Sequence, residues 1–365
     1  MVYCRLTDVG RSINLKKAKN LIPNIKDKKI IKTKDTPSYV DFPDPLVLEV
    51  TLLVSSEFKT IENIILYIKL YADGVISLVA RVIFYDLSFN ELHTLKRIKF
   101  KTSEGEFQIN DLLKYHHNKV LTQIKECVEE EGYIFGDSEH EKYTLYCITD
   151  NIENPQEFIH KERDYISALL MGEKPELNLS QYQINQTLTQ TFSFLNNDLI
   201  LFDYDRGLII DPNCDYEDVL LVVEIANYQL LELRALDKLL DRRLDIAERD
   251  IRNIYFKSRT LFGRLKKKLG RLIRLQYDLL FLLENIENVS KLIGDYYLAQ
   301  IYSHLSDLFH LKQWSDSIRH RLETLQNIYN VTQTNINEKF LLYVEILLSF
   351  IFIMEFILIL LQYFL

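Results

Sequence analysis

The amino-acid sequence predicts an α+β N-terminal domain followed by a long-helix antiparallel coiled-coil region that ends in a single C-terminal transmembrane helix. Three observations carry this expectation. All seven prolines lie at or before Pro212, and the 153 residues beyond it hold three glycines, Gly263, Gly270 and Gly294. Proline breaks helix interiors, so its absence marks a long-helix region and puts a boundary near residue 213. Short β-branched and aromatic runs bounded by turn residues crowd the first half. The last twenty residues, 346–365, contain fifteen Leu, Ile or Phe.

The boundaries expected are a basic, poorly ordered arm over 1–39, an α+β domain over 40–212, a three-helix coiled-coil region over 213–343 and a transmembrane tail anchor over 344–365. The arm is lysine-rich (Lys16, Lys17, Lys19, Lys26, Lys28, Lys29) and lacks the apolar run of a secretory signal. Runs 46–54, 74–85, 97–102 and 143–149 read as strands. Residues 199–211 read as a hairpin turning near Asp205-Arg206-Gly207, and 108–131 and 156–171 read as helices. In the second half, apolar residues recur at 4,3 spacing. One seam runs Val223, Ala226, Leu230, Leu233, Asp237, Leu240, Leu244, with Asp237 the polar exception. A second begins at Leu272, and a third runs Ile318, Leu322, Leu325, Tyr329, Thr332, Ile336. Three helices are expected, about 216–256, 271–310 and 313–365.

Composition is 47% hydrophobic and 26% charged, with a net charge of -8. This suits a folded protein and argues against a dedicated nucleic-acid partner. Cys4, Cys127, Cys147 and Cys214 are scattered without a CxxC pair, which predicts reduced thiols. Twenty residues rising about 1.5 Å each span about 30 Å, the hydrocarbon thickness of a bilayer. The apolar gain of roughly 0.3–0.6 kcal/mol per residue outweighs about 3 kcal/mol for one central acid, Glu355. Gln362 lies seven residues on, on the same helix face. With Glu345 at the entrance, these polar groups are candidates for contacts between copies in a homo-oligomer.

Helices two and three, antiparallel about a turn near 311–312, would set Glu345 level with Asp278. The most basic segment then falls at the lipid surface: Arg252, Lys257, Arg259, Arg264, Lys266, Lys267, Lys268, Arg271 and Arg274, with no acid between Asp250 and Asp278. Contact with anionic lipid headgroups is the expected role of these cations. The N-terminal bulk is then cytoplasmic or matrix-facing, a bacterial inner membrane being preferred to a mitochondrial one.

The sequence holds no Walker loop, GxGxxG, HExxH or nucleophile elbow, so no catalytic residue, metal or cofactor is expected. The acid-rich 203–218 stretch misplaces Gly207 and puts Cys214 where a calcium loop needs an acid. His116-His117 and the pair His304 and His310 lack ligand spacing.

The segment "IGDYYLAQIYSHLSDLFHLKQWSDSIRHRLETLQNIYN", followed by "EKFLLYVEILLSFIFIMEFIL", resembles the end of the Required for Meiotic Nuclear Division family. Members have a helix ending in Leu-Glu, then a hydrophobic span with a second Glu ten residues later. Glu345 and Glu355 keep that spacing, with Val344 in place of the Leu, and Trp314 falls where an aromatic is common. The resemblance covers about 290–365 well and 198–245 loosely. It implies a membrane-associated oligomer without known catalytic activity; eukaryotic members are linked to the mitochondrial inner membrane and translation there. A long helix entering a terminal span is also similar to CorA-type magnesium transporters, but the Gly-Met-Asn signature and second span of that family are missing. The expected function is therefore a non-enzymatic membrane-anchored scaffold with an unknown protein partner for its N-terminal domain. The alternative is a subunit of an oligomeric ion channel or CorA-like transporter.

Overall fold

Alternating apolar residues in 63–70 and 75–82 build the centre of the molecule. In a strand, successive side chains point to opposite faces, so each of these segments can serve two layers at once. The computed structural model describes residues 1–27, 44–56, 61, 63–129, 139–174, 176–256, 277, 280, 283–284 and 295–364. The described strands are β1 (Val2–Asp8), β2 (Ser12–Ile13), β3 (Lys26–Asp27), β4 (Leu46–Leu53), β5 (Ser55–Ser56), β6 (Asn63–Leu70), β7 (Val75–Val82), β8 (Lys99–Thr102) and β9 (Gly105–Gln108). They continue with β10 (Val128–Glu129), β11 (His140–Ile148), β12 (Thr191–Phe192), β13 (Leu199–Phe202) and β14 (Arg206–Ile210). Nine of them form one sheet in the order β12-β13-β14-β11-β1-β7-β6-β4-β3. Every pairing in it is antiparallel except β11 with β14.

The chain forms two compact units. The first comprises Met1–Leu239 and Leu283–Ser315; the second comprises Leu240–Leu282 and Asp316–Leu365. In the first unit, one face of the sheet sends Ile64, Leu66, Ile68 and Leu70 of β6, and Ile76, Leu78, Ala80 and Val82 of β7, into the main core. There they meet α1 (Leu15–Leu21), α2 (Ile109–Ile124), α3 (Pro155–Lys161) and α4 (Arg163–Met171), through Ala18, Leu112, Leu113, Ile159, Ile166 and Leu170 among others. A short α5 (Gln181–Thr187) follows, capped by Ser180.

The opposite face meets the start of α6 (Glu217–Phe256) and α7 (Tyr296–Leu308). From Val219 to Leu240 the α6 side chains are buried or half-buried on all sides except Lys238. An a/d coiled-coil seam covers a narrower stripe. This first half of α6 is therefore a core helix of the sheet-rich unit, and that unit extends past the boundary expected near 213. The connection after α7 is tight: Phe309 caps it, His310 has φ 56°, and α8 (Leu311–Phe364) begins at once.

In the second unit, Ile318, Leu322 and Leu325 of α8 are buried, and Arg321 pairs with Asp241 of α6. The further seam positions Tyr329, Thr332 and Ile336 have side chains outside the described residues, as do most residues of the expected second helix.

The N-terminal arm expected over 1–39 is corrected over its first part. Residues 2–8 are β1, paired on both sides with β11 and β7 and buried throughout. The lysines that suggested an arm start at Lys16, beyond an apolar run (Val2, Tyr3, Cys4, Leu6) whose burial decides the outcome. Gly74 closes the β6–β7 turn with φ 96°, and a Cβ there would lie 1.8 Å from the Gly10 carbonyl oxygen. Only glycine satisfies both demands.

Candidate functional site

Two arrangements stand out, one in each unit. In the second, α8 contains a stretch, Asn337–Gln362, that is long and apolar enough to cross a membrane; its mean hydropathy is 2.7 and its window is wholly exposed. Twenty-six residues of helix rise about 39 Å, more than the roughly 30 Å of hydrocarbon. Glu345, Glu355 and Gln362 all lie on this helix and are exposed on the single chain. Arg252 lies in α6 but its side chain is outside the described residues, as are Lys257, Arg259, Arg264, Lys266, Lys267, Lys268, Arg271 and Arg274.

In the first unit, polar side chains of α6 meet the sheet in a row that the heptad reading missed. Glu217, Glu224, Tyr228 and Glu232 recur at spacings of seven and four, which puts them on one helix face. Arg81 of β7 holds Glu217 through two bonds, at 2.5 and 2.6 Å. Glu224 is buried and paired with Lys69 of β6; Ser77 Oγ and Tyr71 Oη donate to its Oε1 at 2.7 and 3.2 Å. Burial raises the Glu224 pKa, but Lys69 and the hydroxyl donors outweigh it and hold the carboxyl below its ordinary value. Tyr228 donates to Asp73, whose pKa burial raises against that bond.

At the next step, Glu232 and Asp8 of β1 are both buried. Asp8 Oδ1 accepts the Gly10 N–H at 3.0 Å, whereas Asp8 Oδ2 and Glu232 Oε1 have no partner among the described residues. Burial pushes Asp8 up to about 7 against that backbone bond. Burial first, then the neighbouring Asp8 and Asp73, pushes Glu232 well above the carboxylate range. Two buried carboxyls that raise one another's pKa cannot both ionise cheaply, and protonation relieves them. Beyond them Arg234 Nη1 reaches Glu141 Oε1 at 2.6 Å, and its guanidinium lies 5.9 Å from the Trp314 ring centroid.

The histidines, Tyr143 and the cysteines lie in other surroundings. His116 and His117 are buried on α2, 3.8 Å from Glu104 and 3.2 Å from Asn118 respectively, and burial lowers both. His304 stacks near Phe192 and Phe202. Tyr143 Oη donates to the Asp203 and Arg206 carbonyls, at 2.7 and 2.8 Å, pinning the β13–β14 hairpin. The four cysteines are free thiols. Among the described residues no three His, Cys, Asp or Glu come together as a metal site. The acid-rich 203–218 stretch forms that hairpin and the approach to α6. Asp211 there accepts the N–H groups of Asn213 and Asp215, at 2.8 and 2.7 Å.

The chain is similar to the uncharacterized protein MJ0711 of Methanocaldococcus jannaschii, with 26% identity over 304 residues, covering 79% of this chain and 92% of that protein. No solved structure matches the chain. A family model described as the N-terminal domain of uncharacterized protein MJ0711 matches residues 1–217, and thus takes in β1 through β14 and ends at the first residue of α6. The match covers more than half of the chain, which belongs to this MJ0711 N-terminal domain family.

Proposed function

We propose that the protein is a non-enzymatic, membrane-anchored scaffold that self-associates through its long helices and membrane span and presents the sheet-rich domain to a protein partner. The observation that carries the reading is the 26-residue apolar stretch of α8, exposed along its length, in a chain that also builds a large sheet domain. Exposure of so many Leu, Ile and Phe side chains to water is untenable, and lipid is the solvent that suits them. The N-terminal bulk lies on the cytoplasmic or matrix side, with the nine cations of 252–274 against anionic headgroups. The helical region pairs in coiled-coil fashion between copies, and Glu355, protonated in lipid, bonds Gln362 of a neighbouring copy. The resemblance of 290–365 to the Required for Meiotic Nuclear Division family supports the same reading, since that family is membrane-associated and without known catalysis.

Cross-linking of the full-length protein, beside a version truncated after Tyr343, tests the assembly. The full chain forms discrete oligomers more completely than the truncated one, which keeps only the coiled-coil contact; equal assembly of both removes Glu355 and Gln362 from the joint. Reconstituted liposomes test the rival reading as an ion channel or CorA-like subunit. The scaffold gives no ion flux, and flux abolished by Glu355→Gln would contradict it.

A further inference from the structure

A cavity of about 340 Å³ opens between the 3-10 helix Phe89–Arg97 and the loop that leaves α4. Its size falls within the roughly 300–1,000 Å³ of small-molecule sites. Neither anchoring nor self-association uses it.

Both walls are fixed on α4. On one side Tyr165 holds His93, its hydroxyl 3.3 Å from the His93 backbone N–H and 3.2 Å from Nδ1, and its ring packs 4.8 Å from Phe89. On the other, Gly172 ends α4 with φ 76°, and its N–H and that of Glu173 close on the Leu169 and Ala168 carbonyls. Arg206 donates to the Leu170 carbonyl at 3.0 Å, so close to Gly172 that a Cβ there would fall 1.9 Å from Nη1. The cavity is thus preformed, which lowers the entropy cost of binding.

Its charges are unspent. Arg97 lines one wall, while Glu173, Lys174 and Glu176 line the other. None of the four makes an ion pair among the described residues. The first wall therefore has a net positive charge and the second a net negative one, and the four sum to zero. Leu169 of α4 and the buried Tyr146 of β11 add apolar lining. A simple anion such as phosphate would gain from Arg97 and Lys174 but face two carboxylates. A molecule carrying both charges meets both walls.

We propose that this cavity binds a free α-amino acid or close zwitterionic relative, carboxylate toward Arg97, ammonium toward Glu173 and Glu176, and side chain over Leu169 and Tyr146. The sheet-rich domain is then a sensor as well as a docking platform.

Isothermal titration of the full-length protein in detergent tests this, with the common L-amino acids as probes. At least one binds saturably, with Kd below about 1 mM. For that probe, Arg97→Gln and the double variant Glu173→Gln/Glu176→Gln each weaken binding about tenfold or more, as expected for loss of charge-assisted bonds. The N-acetyl and amide derivatives of the probe, each stripped of one charge, weaken likewise. These substitutions are on the surface, so far-ultraviolet circular dichroism stays as in the parent. The proposal is overturned if no amino acid binds, if inorganic phosphate binds as tightly, or if the charge variants bind unchanged.

Discussion

Replacing Lys69 by methionine keeps the length and apolar stem of the side chain but removes the charge paired with Glu224. Glu224 is 4% exposed, and its remaining donors are the neutral hydroxyls of Ser77 and Tyr71. Stripping one partner from a buried pair leaves an uncompensated charge, a loss of about 3–5 kcal/mol. A surface pair would lose no more than about 1 kcal/mol. Trp314, the single tryptophan, lies against Arg234 in the same unit, so its fluorescence reports release of α6 from the sheet. Urea unfolding of the full chain in detergent, followed at Trp314, gives the difference directly. The double variant Lys69→Met/Glu224→Leu regains most of the loss, because no buried charge remains. A Lys69→Met cost below about 1 kcal/mol, or a double variant as weak as the single one, would refute the pairing as the clamp of α6.

Three further outcomes follow from the same face. Asp8 and Glu232 have folded pKa values raised by burial, so the folded state holds more protons than the unfolded one between the ordinary carboxylate range and about 7. Their contribution to stability therefore falls as pH rises through that window, by on the order of 4 kcal/mol for Asp8 alone, and Glu232 deepens the fall. Melting temperature against pH shows this fall, and Glu232→Gln flattens it and melts higher than the parent at pH 8. Gly74→Ala forces a Cβ into the Gly10 carbonyl at a positive φ and lowers stability by about 3 kcal/mol or more in the same urea assay. Tyr143→Phe removes the donor to the Asp203 carbonyl and the second donor to the Arg206 carbonyl, which keeps the Asp203 N–H, and lowers stability by about 1–3 kcal/mol.

Periodicity made the long helices legible. Residues 217–256 and 311–364 are helical close to where the seams predicted, because an uninterrupted proline-free repeat leaves the backbone one regular solution. Which partner a helix buries against is a different matter. Val223, Ala226, Leu230 and Leu233 fit a heptad equally well whether they face another helix or a sheet, and here the same helix also buries Glu224, Tyr228 and Glu232 against strands. The i, i+4, i+8 row of polar groups on an otherwise apolar helix was the available signal. The strands at 46–53, 75–82, 99–102 and 140–148 lie where β-branched runs predicted them. Those at 2–8 and 63–70 were missed. Val2–Asp8 is buried on both faces, so it shows no alternation, and the nearby lysines dominated the reading. Asn63–Leu70 alternates only between buried and half-buried, which in sequence looks like a plain apolar run. The placement of Glu355 in an apolar span could be read directly, since both lie in one local stretch. The amino-acid cavity could not, because residues 93–97, 146 and 172–176 meet only through the fold.

Alkaline carbonate extraction of membranes carrying the full chain, followed by ultracentrifugation, decides whether α8 spans the bilayer. A helix that spans the bilayer resists carbonate, whereas a peripheral protein held by charge is released. With a spanning α8, the full chain stays in the pellet and a version ending at Tyr343 passes to the supernatant. Recovery of the full chain in the supernatant would contradict the span.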